Sequence, residues 1–153
     1  FSWVAGMFGF SQQADKNVRV DYGEDAVTVF HLPAVMSKYK SYNQPTRGIA
    51  GYGQIGIPFG NFMATAGARI DYEASGLTYS YDLEFNNNLI HKDDFDNNLH
   101  FSQFLPKFTL SYHPGKTINT YVSVAKGYKA GGFNSTFEAD EGRTYNPESS
   151  LNY

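Results

Sequence analysis

Four histidines and fifteen carboxylates are the side chains of this sequence with the most chemistry to offer. Two histidines one helical turn apart can chelate a metal, but His31, His91, His100 and His113 contain no H-x-x-x-H spacing. His113 precedes Pro114-Gly115 and reads as a solvated turn residue. The densest cluster is His91, Asp93, Asp94 and Asp96. The run from Asp94 to Asn98 has the opening acids of a calcium loop, but neither the Gly at its sixth position nor the Glu at its twelfth. A solvated external loop is the expected role. Serines are numerous, yet no Gly-x-Ser-x-Gly elbow presents one as a nucleophile. Gly131-Gly132 is not followed by Lys-Ser or Lys-Thr, so it does not cradle phosphate, and its glycines read as loop residues at positive φ. With no Cys at all, disulfides, thiolate metal sites and cysteine nucleophiles are excluded together. The residues therefore predict no enzyme, no catalytic or metal-binding residue and no cofactor.

A different chemistry is carried by Arg69, Asp71, Glu73 and Lys107. These charges fall on the polar side of alternating segments, where they could line a wall that meets a solute or another protein. On a soluble sheet they would be surface decoration.

The elements that must position them are strands. From Asn61 to Glu73 the even positions are Phe62, Ala64, Ala66, Ala68, Ile70 and Tyr72, against Met63, Thr65, Gly67, Arg69, Asp71 and Glu73. That is period-two alternation, and helical spacing would mix the two sets. Thr46 to Ile57 precedes it across the turn Pro58-Phe59-Gly60-Asn61. Phe104 to Tyr112 sets Phe108, Leu110 and Tyr112 against Lys107, Thr109 and Ser111. After the turn His113 to Lys116, Ile118 to Tyr128 sets Val122 and Val124 against Tyr121 and Ser123. Ser2 to Ser11 is a further strand, apolar on both faces, and a partial strand begins near Tyr145. Three polar connections, at 12–44, 81–101 and 129–143, are expected as long loops.

Composition agrees. Aromatic residues make up 17% and charged residues 18%, with 15 Gly. Such a balance suits strands joined by turns. The net charge of −3 gives no basic surface for nucleic acid. No stretch approaches the roughly 18–20 apolar residues of a spanning helix, but a spanning strand needs only alternation. The chain begins at Phe1 without a basic-then-apolar leader and reads as an internal piece. Short turns alternating with long loops is the pattern of an outer-membrane barrel. A soluble β-domain also fits at this point.

The segment Phe104 to Tyr112, followed by Asn119 to Asn134 with its Gly127-Tyr128-Lys129-Ala130-Gly131-Gly132-Phe133-Asn134 ending, resembles the barrel of TonB-dependent outer-membrane receptors of the iron-chelate type. Tyr145-Asn146-Pro147-Glu148 and Leu151-Asn152-Tyr153 fit the start of the family's next strand. Ala50 to Pro58 and Ala66 to Tyr72 fit its preceding hairpin. The resemblance covers roughly Ile49 to Tyr153.

The resemblance implies an all-β fold: an antiparallel up-and-down meander over residues 1–153, about five or six strands of a large transmembrane barrel of about 22 strands. The plug domain and the remaining strands would lie outside it. It further implies a bacterial outer-membrane location and uptake of a scarce solute, such as a ferric siderophore. The implied partners are a ferric chelate or other small solute, outer-membrane lipid, the plug, and an inner-membrane energy-coupling protein. Arg69, Asp71, Glu73 and Lys107 then become lumen-facing candidates. Lys126 is expected on the lipid side, reaching the interface with its stem. Tyr72, Tyr112 and Tyr128 are expected in aromatic girdles. Both short turns should share one, periplasmic end, with Lys116 there and Lys92 outside. The rival is a soluble or surface-attached β-sheet binding domain, for example a carbohydrate-binding one.

Overall fold

The structure, a computed structural model, describes residues 1–115, 117–134 and 142–153. The expectation for Lys116, and part of that for 129–143, fall outside the described residues.

The chain is built almost entirely of antiparallel strand. β1 (Ser2–Tyr22) leads through α1 (Glu24–Phe30) to β2 (Met36–Phe59), β3 (Phe62–Phe85), β4 (Asn88–Tyr112) and β5 (Thr120–Lys129). Then come β6 (Gly132–Phe133), β7 (Thr144–Tyr145) and β8 (Glu148–Asn152). One sheet has the order β1-β2-β3-β4-β5-β8, a meander with β1 and β8 at its two edges, and β6 pairs with β7 in a small second sheet. The register of β4 on β5 sets Phe108 opposite Val124, Leu110 opposite Val122 and Lys107 opposite Ala125. β5 continues onto β8 with Gly127 opposite Ser150.

Two of the expected long loops are corrected to strand. The tract 12–44 leaves the sheet only between Tyr22 and Met36, where α1 sits. The tract 81–101 is β3 running into β4 through Asn86 and Asn87, at φ 51° and 60°. Asn tolerates this left-handed region better than other side chains, and two such residues in succession form the tight turn that strand twist favours. The polar tracts escaped recognition because alternation is written by contrast between faces, and water-facing strands lack an apolar face.

Length explains why such strands exist. β2 and β3 have 24 residues each and β4 has 25. At roughly 3.3 Å per residue a 24-residue strand runs about 80 Å, whereas a tilted strand needs only about 9–11 residues to cross a bilayer.

The chain divides into two units by contact. Unit 1 contains Phe1–Ser11, Arg47–Ala74 and Leu99–Tyr153; unit 2 contains Gln12–Thr46 and Ser75–Asn98. Within unit 1 the sheet reverses the soluble arrangement. The alternation predicted for β3 holds, but Ile70 on its apolar side is 59% exposed while Asp71 on the other is only intermediate. Trp3, Met7, Ile57 and Val122 are likewise exposed, at 70%, 80%, 57% and 67%. Burying a side chain of this size is worth about 1.5–3 kcal/mol over leaving it in water. A face carrying so many therefore demands an apolar surrounding.

Within unit 2 the buried positions include Ser75, Leu77 and Tyr79. Gly76 between them is buried as well, so the packing around 75–77 is not confined to one side of β3.

Glycine is required at two places for different reasons. Gly60 sits at φ 58° in the two-residue link between β2 and β3. Gly131 was expected at positive φ, but among the described glycines only Gly60 has it. At Gly131 the constraint is space: an added Cβ would stand 2.6 Å from the Tyr145 carbonyl oxygen and 2.7 Å from the Phe101 ring.

Candidate functional site

In unit 1, β3 presents Arg69 and Asp71 two residues apart and hence on one face. The Arg69 Nε donates to Asp71 Oδ1 at 2.6 Å. The guanidinium also stands 5.9 Å from the centre of the Phe8 ring on β1. Arg69 lines an open hollow of about 430 Å³ together with Tyr52, Gln54, Lys107 and Lys126. Two of the four predicted charges, Arg69 and Lys107, are thus brought to one hollow from β3 and β4. Asp71 is held by Arg69. Glu73, the next residue on that parity, is half-buried and is not among the hollow's lining residues.

Lys126 departs from expectation. It is half-buried rather than reaching outward, lines the same hollow, and donates from Nζ to Gln103 Oε1 at 3.3 Å. The hydroxyl of Tyr128, expected in a girdle, is buried. The register of β5 on β8 is regular here, with Lys126 opposite Leu151, so it is contacts with neighbouring strands, such as Gln103 on β4, that set these side chains and hid them from sequence. Tyr72 and Tyr112 are exposed as expected. Tyr72 stacks on His100 with their rings 6.2 Å apart, its hydroxyl 3.1 Å from Nδ1, and Tyr112 packs on Phe62 at 4.6 Å. Phe62 in turn stacks on Phe59.

Unit 2 holds an arrangement that the sequence reading placed in a loop and so missed. The Lys16 ammonium stands over the Tyr42 ring at 5.9 Å, Lys38 over Tyr22 at 5.3 Å and Lys40 over Tyr81 at 5.4 Å. Tyr42 packs on Tyr79 with ring centres 4.9 Å apart. These residues occupy even positions of β1 and β2 and odd positions of β3, so one face of unit 2 alternates ammonium groups with phenol rings. The Lys38-x-Lys40-x-Tyr42 and Tyr79-x-Tyr81 spacings were the available signal.

The opposite face of unit 2 is acidic and tied together. Arg19 donates from Nε to Asp21 at 2.8 Å, Ser37 to Asp21 at 2.6 Å, Tyr39 to Glu84 at 2.6 Å and Asn43 to Asp15 at 2.6 Å. The Ser37 hydroxyl, and then Arg19, hold the Asp21 carboxyl below the usual carboxylate range. The hydrogen bond to Glu84 pushes the Tyr39 phenol up. His91 closes the β3–β4 hairpin, with Nδ1 2.9 Å from Asp82 and Nε2 3.2 Å from Asp94. The bond to Asp82, helped by the charge of Asp94, raises its pKa above the ordinary histidine value. With one carboxylate at each ring nitrogen, the imidazolium serves both. Among the described residues no group of three or more His, Asp or Glu is arranged to hold a metal ion.

Comparison with known proteins bears on the whole chain. The sequence model of a family described as "TonB dependent receptor-like, beta-barrel" matches residues 2–153. Among solved structures, the ferric yersiniabactin uptake receptor FyuA from Yersinia pestis superposes with a TM-score of 0.58 at 16% identity. The match covers 99% of this chain and 26% of that receptor. At this identity the likeness speaks to fold, and the chain spans about a quarter of the receptor's length. The Gasdermin A3 membrane pore aligns at a TM-score of 0.22 and 7% identity, over 67% of this chain and 54% of that one, and carries no weight.

Proposed function

This chain belongs to the TonB-dependent receptor β-barrel family, and from that premise we propose that it forms part of the wall of an outer-membrane receptor taking up a ferric chelate. The family is one of transport receptors rather than enzymes. Its barrels lie in the bacterial outer membrane.

The observation that carries the reading is the inverted sheet of unit 1. Apolar side chains such as Ile57, Ile70 and Val122 are exposed on one face. Arg69, Asp71 and Lys107 occupy the other, with Glu73 on the same parity. Hydrocarbon is the surrounding that stabilises the first face. It is closed to the second, since Arg or Lys at mid-bilayer costs roughly 2–4 kcal/mol on a barrel. The charged face therefore looks into the lumen, toward a plug and a passing solute. A soluble carbohydrate-binding sheet would bury its apolar side chains instead.

In this reading residues 1–153 supply six strands of a larger barrel, and the rest of the wall closes the edges at β1 and β8. The plug fills the lumen, and an inner-membrane energy-coupling protein drives its movement. The solute is a ferric chelate, the class named for the Yersinia receptor. Deleting the full-length gene and testing growth on a panel of ferric chelates under iron limitation tests it. Loss of growth on at least one chelate, restored by the intact gene, is expected. Unchanged growth and uptake on every chelate would overturn it.

A further inference from the structure

We propose that the polar face of unit 2 holds a binding hollow for one neutral sugar ring, carried by a free oligosaccharide or by a membrane glycolipid; this goes beyond the receptor reading and rests on unit 2 alone. Asn17 and Arg19 take odd positions of β1, Tyr39 and Ser41 odd positions of β2, and Ser80 and Asp82 even positions of β3. Strand alternation puts each set on one side of its strand. The sets share a face, as Arg19 over the Tyr39 ring at 5.3 Å and the Asn43–Asp15 and Tyr39–Glu84 bonds show. Together they border a hollow of about 290 Å³, near the lower end of the roughly 300–1,000 Å³ of ligand pockets. Short side chains leave the dip. Along β1 and β2, Asn17 and Ser41 lie between the Asp15–Asn43 bond and the Arg19–Tyr39 stack, and Ser80 completes the lining from β3.

The surrounding charges narrow the ligand. Asp15, Asp21, Asp82 and Glu84 share the face, and Asp94 of β4 meets His91 on the ring nitrogen that Asp82 does not. Even with His91 protonated, acids outnumber it and Arg19, so an anion is repelled. The acids are also engaged: Asp15 by Gln13 and Asn43, Asp21 by Arg19 and Ser37, Glu84 by Tyr39, Asp82 and Asp94 by His91. Asp93 of β4 has an interaction of its own. A cation would have to displace one of these partners. Lys40 borders the hollow, but its ammonium stands over Tyr81. Among the described residues none hydrogen-bonds to the side chains of Asn17, Ser41 or Ser80. What is left for a ligand is therefore uncharged. A hydroxyl both donates and accepts, and so does an amide. The matching ligand carries neighbouring neutral groups that also do both, which is the pattern of adjacent hydroxyls on a sugar ring. Tyr39 adds apolar ring surface for the sugar's C–H side. A peptide strand carries donors and acceptors too, but it docks along a sheet edge, whereas this hollow opens on a face.

The test uses the full-length protein in detergent micelles with two sugar probes, a panel of neutral di- and trisaccharides and rough lipopolysaccharide. Saturation-transfer NMR reads binding of the first, and mass spectrometry reads retention of the second through purification. Binding of an oligosaccharide identifies a free glycan as the source; binding confined to lipopolysaccharide identifies a glycolipid. Val and Thr have nearly the same shape and both favour strands, so a matched pair of variants isolates the hydroxyls. Ser41→Val combined with Ser80→Val should weaken sugar binding roughly tenfold. Ser41→Thr combined with Ser80→Thr should keep it. Oligosaccharide affinity should not change with salt, because no net charge is engaged. Growth on ferric chelates tests the receptor reading separately. Binding of neither probe, equal binding by the Val and Thr variants, or a neutral tetrapeptide bound as tightly as any sugar would overturn the inference.

Discussion

The backbone N–H of His113 donates to the carbonyl oxygen of Asn61 at 2.7 Å. Asn61 belongs to the link between β2 and β3, and His113 follows β4, so this bond brings two short connections to the same edge of unit 1. It fulfils the expectation that both short turns share one end, the arrangement that gives an outer-membrane barrel its periplasmic side.

Sidedness follows as a prediction. The sequence contains no Cys, so single cysteines introduced into the full-length receptor, freed of any others, report their own exposure. On intact cells a membrane-impermeant maleimide should label Asn87→Cys, at the β3–β4 turn, and spare Asn61→Cys until the outer membrane is permeabilised. Equal labelling of both before permeabilisation would contradict the topology.

The two faces of β3 should respond oppositely to charge. Ala66 is exposed on the apolar face near the middle of the expected span, and Ala66→Arg should destabilise the folded receptor by about 2–4 kcal/mol. Thr65→Arg, on the Arg69 side, should cost no more than about 1 kcal/mol. Denaturant unfolding of the refolded full-length receptor in bilayers measures both.

Arg69 and Asp71 are close but partly exposed, with side-chain exposures of 43% and 18%. Screening by solvent limits such a pair to about 0–1 kcal/mol. Asp71→Asn should accordingly leave stability within that range. If uptake nevertheless falls severalfold, the pair acts on the plug or the solute rather than on the fold. A larger loss of stability would show that the pair supports the sheet.

The His91 contacts predict a pH dependence confined to the β3–β4 hairpin. Because the folded pKa is raised, the imidazolium bridge from Asp82 to Asp94 is fully present below the ordinary histidine pKa and is lost as pH rises through the raised value. Amide hydrogen exchange at residues 82–94, corrected for the intrinsic pH effect, should therefore speed up as pH rises through the raised His91 pKa in the wild type and not in His91→Gln. Identical profiles in the two proteins would refute the bridge.

The Asn86–Asn87 turn yields a final expectation. Both residues hold positive φ, a region that costs a side chain without Asn's local hydrogen bonding about 1–2 kcal/mol. Asn87→Val should increase exchange at the hairpin tip, while Asn87→Gly should not. A silent Asn87→Val would mean that the turn relaxes to another form.

The sequence by itself determined the fold class, the antiparallel meander and the faces of the first half of β3, to Glu73. Asn61 to Glu73 alternates strictly, and a slip of one residue would invert every side chain. It also put Arg69, Asp71, Glu73 and Lys107 each on the polar side of its own strand, and the Gly127 to Asn134 segment pointed to the family. The cation–ring face of unit 2 escaped although Val18, Val20 and Tyr22 do alternate with Asn17, Arg19 and Asp21; so short an alternation inside a mostly polar tract resembles a loop until its partners are known. Only the tertiary structure could decide that Lys16 meets Tyr42 and Lys40 meets Tyr81, since those pairs are set by register between strands distant in sequence. The same holds for Lys126, which joins Arg69 and Lys107 at one hollow. Parity is counted along a chain, whereas the contacts that finally place a side chain are made with other strands.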